Sequence, residues 1–141
     1  MSSKDYLKPI NWTIFILVVF TAIITASITM YNLLNIPAFG EDAQSRAEFR
    51  WGSIQMFTAI ALLICSVLLA KGWKRLFPFN VPIAIILVGF CYVLFFLTFT
   101  TGWVGFQGMF GFFIAILIGV ILSISYSIFN RIERRKMINK N

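Results

Sequence analysis

The sequence predicts an all-α integral membrane protein, a bundle of four transmembrane helices with both termini on the cytoplasmic side. Composition is the first observation behind this. Of 141 residues, 60% are hydrophobic and 12% charged, whereas a soluble domain carries about 25% charged residues. Segment length is the second. A hydrocarbon core of roughly 30 Å takes about 20 apolar residues per helix, and four runs meet that length, at about 11–34, 51–70, 81–101 and 106–129. Charge placement is the third. Lys4, Lys8, Lys71, Lys74, Arg75, Arg131, Arg134, Arg135, Lys136 and Lys140 fall on the side of the termini, leaving Arg46 and Arg50 opposite. A Lys and Arg excess marks the cytoplasmic face. Trp12 and Trp73 then fall at the inner interface and Trp51 and Trp103 at the outer one, as an aromatic belt requires.

The first run follows Lys8 and Pro9, with Pro9 expected in the first helical turn, where its missing N–H costs nothing. Its apolar length exceeds that of a signal-peptide core, and no A-x-A-like site follows, so it is expected to be retained. Thr21, Thr25 and Thr29, with Ala22 and Ala26 beside them, set a face of small side chains suited to a neighbouring helix.

The connection "NIPAFGEDAQSRAEFR" breaks the helix at Pro37 and Gly40, and Glu41 and Asp42 favour a new N-terminus. A helical lead-in over 41–50 is expected to project outward, either as a solvated extension or as a docking surface for a partner. In the inner connection "KGWKRLFPFN", Asn80 is placed to cap the third run and Pro82 to sit in its first turn.

The fourth run carries the densest pattern. Gly102 and Gly105 bracket a short reversal, where Gly relieves the turn. Gly108 and Gly111 lie in the helix, and from Gly111 the row Ala115, Gly119, Ser123 and Ser127 recurs every fourth residue. Lipid gives helices little hydrophobic reason to associate, so close backbone approach over small residues supplies the drive. The row is therefore a helix-packing face, for another helix of this chain or for a separate subunit. The 130–141 tail, with Arg131, Arg134, Arg135 and Lys136, is expected to bind anionic lipid headgroups.

Chemistry is constrained by what the chain lacks. With no histidine, His-based zinc motifs and His-activated nucleophiles are excluded. None of the four runs contains Asp, Glu, Lys or Arg, the usual mark of proton and ion pathways. A small multidrug exporter resembles the chain in its four short spans, but that family depends on a glutamate in its first helix, where this chain has only Thr and Ser. Cys65 and Cys91 lie at different depths and form no C-x-x-C, so they read as small packed hydrophobes.

A polar set remains at the outer side. Asn32, Gln55, Thr98, Thr100, Thr101 and Gln107 line a shared vestibule or hydrogen-bond between helices near the headgroups. The stretch "TFTTGW" resembles the Thr/Phe-rich segment of small four-span fluoride channels, although that family's glycine-rich, arginine-containing first-span motif has no counterpart here.

The reading is thus a non-enzymatic multi-pass protein of a bacterial plasma membrane, an accessory or interaction subunit acting through helix packing. The alternative is a small homo-oligomeric channel or transporter for an ion or polar solute. No catalytic residue, metal or cofactor is expected. The expected partners are anionic lipids on the cytoplasmic side, a second copy or a larger membrane complex, and not nucleic acid.

Overall fold

A computed structural model describes residues 3–35, 52–72, 74–100 and 102–138; among them, the side chains of 3–6, 33–35, 52–55, 74 and 137 stand outside the description. It is all-helical over these residues: α1 (Ser3–Asn35), α2 (Gly52–Gly72), a single 3₁₀ turn (Lys74–Leu76), α3 (Asn80–Phe99) and α4 (Gly102–Ile138). Among the described residues, three segments are long and apolar enough to cross a membrane: Leu7–Asn32, Asn80–Phe99 and Gly102–Lys136. The apolar part of α2, Met56–Gly72, is shorter. The expected lead-in over 41–50, Trp51 and Trp73 lie outside the described residues.

α3 occupies the centre, packed by α1, α2 and α4. Burial follows from that position: 56% of the apolar window of α3 is buried, against 6% for α1 and 17% for α4. The core joins Phe15 of α1, Ala70 of α2, Val81, Ala84, Ile85 and Val88 of α3, and Ala115 of α4. Small residues from α2 and α4 let the larger aliphatic side chains of α3 fill the centre. Dispersion between close-packed atoms then supplies attraction across these contacts.

Helix boundaries depart from the sequence expectation at both ends of the chain. α1 begins at Ser3, so Pro9 lies inside it rather than in its first turn, and the Asp5 carbonyl loses one ladder bond there. α4 continues to Ile138, about 55 Å at 1.5 Å per residue. Arg131, Arg134, Arg135 and Lys136 are exposed on the last turns of this helix.

At the other end, α3 and α4 are joined through Thr100 and residue 101. Gly102 takes the left-handed conformation, φ 59°, that a reversal this tight demands and that L side chains rarely adopt. Gly105 serves differently from the expectation: it lies within α4, buried beside Thr100, where an added Cβ would come to 3.7 Å of the Thr100 hydroxyl.

Candidate interaction surface, polar clasp and cavity

The small residues of α4 meet α3. A Cβ added at Gly108 would stand 2.5 Å from the Phe96 Cβ and 3.3 Å from the Val93 Cα. At Gly111 it would strike the ring of Tyr92, and at Gly119 it would approach Ile86 to 2.7 Å and the Pro82 carbonyl to 3.0 Å. The relation is reciprocal, because a Cβ on Gly89 of α3 would collide with the Ala115 methyl. Residue numbers fall along one helix as they rise along the other, the register of an antiparallel pair.

The row does not run the whole way. Each step of four residues turns about 40° around a helix of 3.6 residues per turn, so the row that starts at Gly111 has rotated off the contact by Ser127. Ser123 is half-buried and Ser127 exposed; their hydroxyls donate to the Gly119 and Ser123 carbonyls at 2.8 and 2.9 Å. The face that stays against the bundle alternates steps of three and four: Gly105, Gly108, Phe112, Ala115, Gly119, Leu122 and Tyr126 are buried or half-buried. That is a heptad pattern, and the strict four-residue row is only part of it.

Tyr126 closes the lower end of this face. Its hydroxyl donates to Asn11 Oδ1 on α1, and Asn11 Nδ2 donates to the Pro78 carbonyl at 3.1 Å. Both side chains are almost fully buried, at 3% and 1% exposure, where an unmade hydrogen bond is costly. Asn80 lies in the same region but does not cap its own helix. Its Nδ2 donates to the Ala70 carbonyl at 2.8 Å and lies 3.4 Å from that of Leu69, satisfying the C-terminal end of α2 instead. Phe79, the residue that precedes α3, provides no side-chain cap. One polar clasp thus ties α1, the α2–α3 connection and α4 together.

Toward the other end the helices separate. Tyr92 of α3 donates to Thr25 Oγ1 of α1 at 3.0 Å, and Thr25 donates in turn to the Thr21 carbonyl at 2.9 Å. This pairing divides two spaces. On the α4 side lies an open-sided cavity of about 410 Å³, lined by residues that include Leu17, Ile114, Ile118, Gly111 and Gln107. On the α2 side lies a smaller one of about 160 Å³, lined in part by Ala26, Ala59, Cys91 and Phe95.

The expected outer polar set is distributed among different surroundings. Gln107 is exposed and lines the larger cavity, whereas Asn32 is exposed and lines neither space. Thr98 and Thr100 are buried, and their hydroxyls donate to the Leu94 and Phe96 carbonyls, each at 2.6 Å. Thr101 and the Gln55 side chain lie outside the described residues. Cys65 is exposed, Cys91 is buried, and both are free thiols. Among the described residues no group of His, Cys, Asp and Glu gathers to hold a metal. No protein family, curated protein or solved structure matches the chain.

Asn11 and Tyr126 are the residues that sequence reasoning missed. An asparagine opening an apolar run resembles a boundary residue. Only the position of Tyr126, seven residues beyond Gly119 on the heptad face, pointed inward.

Proposed function

We propose that the chain is a small non-enzymatic multi-pass protein of a bacterial plasma membrane, with both termini cytoplasmic, that acts as an accessory or interaction subunit through helix packing. The observation that supports this reading most is the exposure of α1. Ile16, Leu17, Phe20, Ile23 and Ile28 are each more than half exposed, a continuous apolar face that water does not tolerate and that lipid or a partner helix accepts. Gly108, Gly111, Ala115 and Gly119 are occupied by α3, so the surface offered to a partner is α1 and the outward side of α4. Arg131, Arg134 and Arg135 follow on one side of the same α4 helix and suit anionic headgroups at about 1 kcal/mol each.

The homo-oligomeric channel is the second reading, supported by the uncharged amide of Gln107 at a cavity mouth. One experiment separates the two. The tagged chain is extracted from its native membrane in mild detergent, and the mass and composition of the intact complex are determined. A stoichiometric second protein is the expected result. A clean homo-oligomer that passes ions or small solutes in liposomes, with flux reduced by Gln107→Leu, favours the channel. A lone 16.1 kDa chain without flux contradicts both.

A further inference from the structure

The 410 Å³ space between α1 and α4 has a polarity and a length that select an occupant. From Ile118 to Gln107 the α4 wall spans eleven residues, about 16 Å at 1.5 Å per residue. That is close to one leaflet of a hydrocarbon core roughly 30 Å thick. The wall is graded: Leu17 and Ile118 form an apolar floor, the Tyr92 and Thr25 hydroxyls stand higher, and Gln107 lies at the end nearest the α3–α4 turn. No charged side chain lines it. Thr25 spends its proton on a backbone carbonyl and Tyr92 spends its own on Thr25, so the Tyr92 oxygen remains an acceptor and Gln107 supplies both donor and acceptor.

We propose that this cavity is a lipid site holding one acyl chain of a glycerophospholipid from the leaflet on the side of the α3–α4 turn. The methyl end lies at Leu17 and Ile118, and the ester region lies at Gln107. The proposal rests on the membrane reading above and adds a defined ligand to it.

Neighbouring residues provide internal controls. Leu17 and Ile16 are 59% and 57% exposed, and Ile114 and Phe113 are 59% and 60% exposed, yet only Leu17 and Ile114 line the cavity. The full chain is reconstituted in vesicles of phosphatidylethanolamine and phosphatidylglycerol with a small share of phosphatidylcholine carrying a diazirine at one acyl terminus. After irradiation, adducts are mapped by mass spectrometry. A bound chain labels Leu17 over Ile16 and Ile114 over Phe113 by roughly tenfold, the ratio that corresponds to 1.4 kcal/mol of preference, and Thr21→Trp, which fills the space from α1, brings each pair to parity. Equal labelling within both pairs of the native chain overturns the lipid site while leaving the membrane reading intact, and so does an excess that survives Thr21→Trp. A chain that takes no adduct and is released by alkaline carbonate overturns both.

Discussion

Asn11 holds two partners at once, the Tyr126 hydroxyl and the Pro78 carbonyl. Asn11→Ala strands both in a buried site, so a loss of about 1–3 kcal/mol is expected, read as a lower thermal midpoint in detergent micelles. Tyr126→Phe strands only Asn11 Oδ1 and is expected to cost less. Combining Asn11→Ala with Tyr126→Phe is expected to cost less than the sum of these two single changes, because residues in one hydrogen-bond network couple; strict additivity would contradict the clasp. The pair is separated by 115 positions, and no pattern of propensity or hydropathy joins residues so far apart, which is why the clasp was not legible in the sequence. Gly102 was, since a reversal between two long apolar runs needs a residue free to adopt φ 59°. Gly102→Ala is expected to cost about 1 kcal/mol from strain at that angle, again measured as a fall in thermal midpoint.

Among the elements, the α3–α4 pair makes the sharpest demand on side-chain size. Gly119→Leu places bulk against Ile86 and the Pro82 carbonyl. Overpacking of this kind typically costs about 1–3 kcal/mol, and the variant is expected to accumulate at a visibly lower level in membranes. Gly72, beside which an added Cβ meets nothing within 4 Å, is the control: Gly72→Leu is expected to leave accumulation unchanged. Equal levels for the two variants would contradict the packing. The small residues of α4 were visible in the sequence as a row, but the direction they face was not. A four-residue spacing and a heptad coincide over two or three turns and then diverge by rotation, so Ser123 and Ser127 were grouped with Gly119 while Phe112 and Tyr126 were left out. Asn80 shows the same limit. Its type and position suited an N-cap, and only the arrival of the α2 end within hydrogen-bond distance directs its amide elsewhere.

For the molecule as a whole, the wrapping of α3 by the other helices explains how a chain with such uniform hydrophobicity has an inside. α3 is buried because small side chains from α2 and α4 admit it. α1 is held through the Asn11 clasp, the Tyr92–Thr25 bond and the packing of Phe15, Val18, Val19 and Ala22 on the core, which leaves its remaining faces exposed. The all-helical class and the approximate helix positions were legible from composition and run length, whereas the order of packing was not, since the apolar residues that are buried and those that stay exposed are drawn from the same set. The small-residue face of α4 is filled by α3 of the same chain, which leaves α1 and the outward side of α4 as the exposed apolar surfaces. The most direct test starts from a Cys65→Ala, Cys91→Ala background and pairs Phe90→Cys with Phe112→Cys, two positions whose rings meet across the α3–α4 interface with centroids 5.9 Å apart and where the smaller side chain brings no clash. After mild oxidation in native membranes, the account predicts a monomer whose two thiols no longer react with maleimide. A disulfide-linked dimer formed through the same two positions would show that the face joins separate copies and would contradict it.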